Sequence, residues 1–144
     1  MNEAERLMRK IFGVKGDGVD AFKGAQAGQR DAFAHFHPDV RNSLFGPSGT
    51  KETLVGKDAM IAFVQRCAAA LAAHEDKILG ISSIDEHCAF VHASAYRKSA
   101  ATGEEIRYEW AMLYRVDNGL ITYGADMLDP DAQAFWGRVL GTAQ

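Results

Sequence analysis

Between Lys77 and Leu128 apolar residues recur in short segments that alternate with polar ones in places, as in Ile106-Arg107-Tyr108-Glu109-Trp110, and only short polar turns interrupt them. That period of two predicts four strands, Lys77 to Ile84, Cys88 to Ser99, Ile106 to Val116 and Leu120 to Leu128. Connections this short join antiparallel neighbours, because a parallel return needs a crossover of a dozen residues or more. The last turn, Asp117-Asn118-Gly119, has the residue types that tolerate the left-handed backbone of a tight hairpin. A long antiparallel sheet is therefore the frame on which the rest must pack.

The flanking segments read as helices and one further hairpin. Leu7, Met8, Ile11 and Phe12 recur at helical spacing, predicting a helix over residues 3 to 12 that stops at Gly13. A second helical region is expected from Val19 to Phe36, ended by Pro38. Val40 to Phe45 and Thr50 to Val55 read as two strands around Gly46-Pro47-Ser48-Gly49. Lys57 to His74 carries Met60, Phe63, Val64, Cys67 and Leu71 on one helical stripe. The closing helix has Asp129 at its N-cap, Pro130 at the first helical position and Gly141 past its end. Helices first and an antiparallel sheet second make an α+β domain with helices packed on one face.

At 144 residues one domain spanning residues 1 to 144 is expected, and a domain of that size buries roughly two thirds of its surface without disulfides or metals. The net charge of −3 comes from dispersed charges, with no basic stripe to neutralise phosphates, so nucleic acid is excluded as an expected partner. The start lacks the order of a signal peptide and no apolar run approaches the ~20 residues that span a bilayer. A cytoplasmic protein with no membrane partner is the expectation. Cys67 and Cys88 have no ligand spacing and read as reduced packing residues. His35, His37, His74 and His87 make no metal set, and no metal or cofactor is expected. The glycines from Gly13 to Gly18 lack the Gly-Lys-Ser/Thr ending of a phosphate loop, and Asp17 reads as a helix cap.

Alternation divides each long strand into two faces. One face is assigned Phe90, His92, Ser94 and Tyr96, then Tyr108, Trp110, Met112 and Tyr114, then Thr122, Gly124 and Asp126. Bulky aromatics with a few polar tips are the usual lining of a ligand pocket. The other face, with Val91, Ala93 and Ala95 at its centre, reads as a flat surface covered by a second subunit. Asn42 and Leu44 share the inward parity of the first strand.

Three segments carry a resemblance to a known family: Ala34-His35-Phe36-His37-Pro38-Asp39-Val40 entering the first strand, Val55-Gly56-Lys57-Asp58-Ala59-Met60 opening the long helix, and Asp117-Asn118-Gly119-Leu120-Ile121 through Asp126-Met127-Leu128-Asp129-Pro130. In their order and spacing, over about Gly18 to Leu140, the chain resembles the nuclear transport factor 2-like superfamily, and within it the SnoaL-like proteins. The resemblance implies a conical roll: a strongly curved, mostly antiparallel sheet wrapped around N-terminal helices, with a short C-terminal helix. It also implies a cavity at the wide end and a homodimer through the outer sheet face.

The superfamily hosts polyketide cyclases, ketosteroid isomerase, limonene epoxide hydrolase, scytalone dehydratase and proteins that only bind, so the fold does not select a reaction. Asp126 stands where the cyclases and the epoxide hydrolase carry a catalytic aspartate. The cyclases' partner histidine would fall near Met112, which transfers no protons. The aspartates of ketosteroid isomerase would fall near Ser43 or Leu44 and near Met112, and neither is present. The epoxide hydrolase's Arg-x-Asp trio is replaced by His92-Ala93-Ser94-Ala95-Tyr96.

The resulting expectation is a cofactor-free acid-base enzyme of the isomerase, cyclase, dehydratase or hydratase type, acting on a small hydrophobic cyclic or aromatic molecule. Asp126 is the general base and His92 the second acid or base. Asn42, Leu44, Ser94, Tyr96, Tyr108, Trp110, Met112, Tyr114 and Thr122 are assigned to substrate binding. A non-catalytic ligand-binding or dimerisation module with the same fold is the alternative.

Overall fold

The computed structural model describes residues 1–13, 22, 33–45 and 49–142. Among them the elements run α1 (Glu3–Phe12), β1 (Phe36–Phe45), β2 (Lys51–Val55), α2 (Lys57–Ala70), β3 (Leu71–Ile84), β4 (Cys88–Ser99), β5 (Glu105–Asp117), β6 (Leu120–Met127) and α3 (Pro130–Thr142). The six strands form one curved sheet in the order β2-β1-β6-β5-β4-β3. Every pairing is antiparallel except β1 with β6. This is the α+β conical architecture that the resemblance implies. No helix of the described residues is long and apolar enough to cross a membrane.

The local reasons match the chemistry of the chain. The Asn2 side chain accepts the Glu5 N–H at 2.7 Å and so caps α1, and Gly13 closes the helix at φ 63°. Asn118 and Gly119 both take positive φ, 51° and 79°, giving the β5–β6 turn the twist a two-residue hairpin needs. Asp129 caps α3 by accepting the Ala132 N–H at 2.7 Å. The helices cover the concave face in two packed groups. Ala4, Met8 and Ile11 of α1 join Val91, Val116 and Ile121, while Phe63 and Cys67 of α2 meet Phe135, Trp136 and Leu140 of α3.

Three boundaries differ from the sequence expectation, one of them at the closing helix, which runs through Gly141 to Thr142 instead of stopping before that glycine. The long helix ends at Ala70 rather than His74, and β3 begins at Leu71, which is already extended at φ −107° and ψ 134°. The alanine-rich stretch from Ala68 to Ala73 carries no glycine or proline to mark that junction. Pairing with β4, from Leu71 opposite Ser99 to His74 opposite Arg97, overrides its helical propensity. Likewise β1 begins at Phe36, and Pro38 lies inside the strand where the β1–β6 register slips between Phe36 and Arg41, an irregular stretch that tolerates a residue with no N–H. The helix expected over Val19 to Phe36, the glycine-rich segment at residues 14–18 and most of the turn at residues 46–49 lie largely outside the described residues.

Candidate functional site

The register of β4 against β5 decides which side chains face the helices. Ala89 lies opposite Tyr114, Val91 opposite Met112, Ala93 opposite Trp110 and Ala95 opposite Tyr108. Opposed residues share a face, so the small side chains of β4 oppose the large ones of β5. Val91, Ala93 and Ala95 are accordingly buried inside the roll. This corrects the face assignment from sequence. Phe90, His92, Ser94 and Tyr96 point outward, because the inner layer has room for alanine but not for a second row of aromatics beside Tyr108 and Trp110.

The consequence for the candidate residues is direct. His92 sits on the convex face, half exposed, with Nε2 2.9 Å from Glu109 Oε1. Ser94 and Tyr96 line a shallow outer groove; Tyr96 donates to Glu105 and lies under the Arg107 guanidinium at 4.7 Å. Thr122 is displaced from the inner row by a register shift between Arg115 and Val116, and donates to Asp117 Oδ2 at 2.6 Å. Ile121 takes the inward position instead and is fully buried.

Asp126, Asn42, Leu44, Tyr108, Trp110, Met112 and Tyr114 all line one cavity of about 530 Å³ between the sheet and the helices. Its walls are mostly apolar, with Phe12 from α1, Met60 and Val64 from α2 and Trp136 from α3. Phe45 stacks on Trp136 at 4.8 Å between ring centroids, and the Trp136 indole N–H donates to the Tyr108 hydroxyl at 3.0 Å. Such an interior suits a hydrophobic molecule held by a few polar groups.

Asp126 is the ionisable group at the β6 end of that interior, 6 % exposed. Burial pushes its carboxyl up to about 6, against smaller opposing contributions from the Phe45 N–H at 3.4 Å and the charge of Lys51. The Lys51 ammonium is spent on the Asp126 main-chain carbonyl at 2.9 Å. Across the ladder stands Met112, and the Tyr114 hydroxyl donates to its sulfur at 3.0 Å. Burial, reinforced by the nearby Asp126 charge, also drives the Tyr114 phenol upward, keeping it protonated. Next along the sheet, Asn42 of β1 pairs with Gly124 of β6. A Cβ at position 124 would lie 2.9 Å from Asn42 Oδ1, so glycine is what admits the amide. Asn42 is 1 % exposed, and its Nδ2 finds no hydrogen-bond partner among the described residues. A buried donor left unpaired costs about 1–3 kcal/mol; Nδ2 has no open surface of its own, so the amide must turn towards the cavity to meet a ligand acceptor.

The cavity holds a second polar group that sequence reasoning missed. Arg97 of β4, 4 % exposed, points inward and pairs through Nη2 with Asp76 Oδ1 at 2.9 Å. The Trp110 indole N–H donates to the same oxygen at 2.9 Å. Asp76 faces inward because it lies on β3 opposite Ala95, although the sequence pattern puts it in a turn just past a helix end. The alternation Val91, Ala93, Ala95, Arg97, Ser99, set against the bulky β5 row, was the signal that could have placed Arg97 inside. Among the described residues no three His, Cys, Asp or Glu side chains are grouped as metal ligands.

Comparison with known proteins agrees with this architecture. The family model for the SnoaL-like domain matches residues 19–124. The chain belongs to the SnoaL-like domain family. Among solved structures, this SnoaL-like chain is similar to an NTF2-like protein of unknown function from Burkholderia pseudomallei, at 17 % identity and a TM-score of 0.71, covering 97 % of this chain and 98 % of that one. A Mycobacterium tuberculosis protein crystallised with estradiol-17β-hemisuccinate is 18 % identical, with a TM-score of 0.66 over 92 % and 98 % of the two chains. A protein from Jannaschia sp. CCS1 described as a candidate SnoaL-like polyketide cyclase is 17 % identical, with a TM-score of 0.65 over 78 % and 81 %. At these identities the likeness is one of fold. No curated protein sequence matches the chain.

Proposed function

We propose that the cavity binds a small hydrophobic cyclic or aromatic molecule and carries out proton transfer on it without a cofactor. Asp126 serves as the base and Asn42 holds the oxygen on which charge develops. The observation that supports this most is the conjunction of two groups on adjacent strands: a carboxyl pushed up to about 6 by burial, and an amide Nδ2 with no partner among the described residues. A carboxylate with that affinity for a proton is half ionised near pH 6, close to the optimum for exchanging one at neutral pH. The amide donor would stabilise an enolate-like oxygen. His92 has no part in this reading, since it lies on the outer face.

Exchange of the α-protons of 2-tetralone in deuterated buffer, followed by proton NMR, tests the reading without knowledge of the natural substrate. The protein should accelerate exchange above the buffer rate, and Asp126→Asn should lose about a hundredfold of that acceleration. Equal rates for the parent and Asp126→Asn would overturn it.

One observation favours a binding role instead: Met112 is the ladder partner of Asp126 and moves no proton. A metabolite retained through purification and unchanged on incubation would support that reading, and turnover of the metabolite would exclude it. We also propose that the chain dimerises through the convex sheet face. There Phe90, Leu113 and Ala125 lie in register beside His92, Ala111 and Met127, and Met127 is 44 % exposed. A monomer at micromolar concentration by analytical ultracentrifugation would contradict the dimer.

A further inference from the structure

Two polar stations in one apolar cavity restrict the shape of molecule that fits. Asp76 on β3 and Asp126 on β6 are three strand steps apart in the sheet order, a span of about 14 Å along the sheet at ~4.8 Å per strand, shortened across the cavity by the curvature. They therefore mark opposite ends of the interior rather than two sides of one reacting bond.

The chemistry at the Asp76 end is fixed by what its partners leave free. Oδ1 already accepts from Arg97 Nη2 and from the Trp110 indole, both at 2.9 Å. Oδ2 has no hydrogen-bond partner among the described residues, and the Asp76 side chain keeps 29 % of its surface open, against 5 % for Arg97. The donors of Arg97 are spent or covered: Nη1 gives to the carbonyls of Tyr96 and Glu75, Nε is buried with no partner among the described residues, and the guanidinium lies 5.0 Å from the Phe22 ring and 5.8 Å from the Tyr108 ring. Glu75 and Lys77, both exposed, also line this end with opposite charges, and between them the ligand meets the Asp76 acceptor oxygen, whose charge is balanced from behind. An anionic ligand group would meet a carboxylate first. A cationic group would find a carboxylate already neutralised and would add an uncompensated charge to an apolar site. A neutral hydroxyl meets neither penalty.

We propose that Asp76, oriented by Arg97 and Trp110, forms a second subsite that accepts a hydrogen bond from a hydroxyl group at the end of the ligand remote from Asp126. The substrate class is then an elongated hydrophobic alcohol or phenol. This rests on the reading that the cavity takes a small hydrophobic molecule. Asp76 is partly open to water, so a ligand hydroxyl replaces a water on Oδ2, whereas the analogue lacking it covers that oxygen with an apolar group and leaves it unpaired in the complex.

The test compares 4-hydroxybiphenyl with biphenyl at pH 7, titrated against the fluorescence of Trp110 and Trp136, which both line the cavity. The parent protein should bind the hydroxylated probe about tenfold tighter. Asp126→Asn should keep that ratio. The double variant Asp76→Leu with Arg97→Met, which removes both charges and leaves neither buried alone, should bind both probes equally. Equal binding of the two probes by the parent would overturn the subsite while leaving the cavity reading intact. So would a preference that survives the double variant or disappears in Asp126→Asn. Binding of neither probe by the parent would overturn both.

Discussion

Asp126 and Met112 are direct partners across the β5–β6 ladder, so the one buried carboxyl at the β6 end of the cavity faces a thioether instead of a charge or a strong donor. Burial outweighs the Phe45 N–H and the Lys51 charge, which favour the ionised form, and Met112 adds nothing to them. The sulfur accepts from Tyr114 and offers nothing to stabilise an ionised Asp126, so the proton is held to about 6. Introducing a donor by Met112→Gln should lower that value by about one unit through a hydrogen bond to the ionised form. The lowered value should be read from the carboxyl's titration and accompanied by slower α-exchange in 2-tetralone.

The raised value has a signed cost in stability. A carboxyl that rises from its ordinary 3.8 to about 6 on folding binds its proton more tightly in the native state. Its contribution is complete below about pH 4 and is lost as pH climbs through 6. Asp126→Asn should therefore be more stable than the parent by about 1–3 kcal/mol at pH 7 and indistinguishable from it at pH 3.5. Urea unfolding at the two pH values reads the difference. A gain of the same size at both would refute the assignment of the effect to ionisation.

Asp129, three residues on, should behave in the opposite way. It caps α3, so Asp129→Ala should cost about 1 kcal/mol in urea unfolding at pH 7 and leave α-exchange at the parent rate.

Gly124 is the position where packing and chemistry meet. A methyl group there would stand 2.9 Å from Asn42 Oδ1 and 3.5 Å from the Tyr114 ring, forcing the amide aside. Gly124→Ala should cost about 1–3 kcal/mol by overpacking, and it should slow α-exchange more than Asn42→Ala does, since it disturbs both Asn42 and the strand bearing Asp126. Thermal unfolding and the exchange rate, measured together, check the pair of effects.

The Arg97–Asp76 pair predicts an asymmetry. Arg97 is the more buried partner and its Nε has no hydrogen bond among the described residues. Asp76→Asn therefore strands a cation with little access to water, whereas Arg97→Met leaves a carboxylate that can still be hydrated. Asp76→Asn should cost more, about 2–4 kcal/mol against 1–2, and the double variant Asp76→Leu with Arg97→Met should cost less than the sum. Equal costs from the two single variants would contradict the burial argument.

What could be read from the residues alone follows a physical line. The β5–β6 hairpin was legible because Asn118-Gly119 can take two positive φ angles in succession, and the start of the last helix because Asp129 and Pro130 mark it, whereas Gly141 does not end it. Alternation along β5 was enough to put its aromatics on one face, but the two-residue turn alone would set Tyr114 opposite Tyr123, and it is the register shift between Arg115 and Val116 that brings Gly124 and Asp126 to the inner face. The turn from Ser99 to Glu104 leaves the register free, so the parity of β4 relative to β5 could not be counted across it. Volume decided it instead: alanines on β4 fit against Tyr108 and Trp110, and His92 and Tyr96 were sent outward. Asp76 was hidden for a different reason, since the run Ala68 to Ala73 suits a helix and only its partner strand makes it extended.

The central claim is that the Asp126 carboxyl is a desolvated proton acceptor inside the cavity. Carbon-13 NMR of the aspartate side-chain carboxyls, titrated from pH 3 to 8 and assigned by the signal missing from Asp126→Asn, measures this directly. A midpoint near 6 for Asp126 is the predicted result. A midpoint near 4 would show a solvated carboxylate and contradict the account.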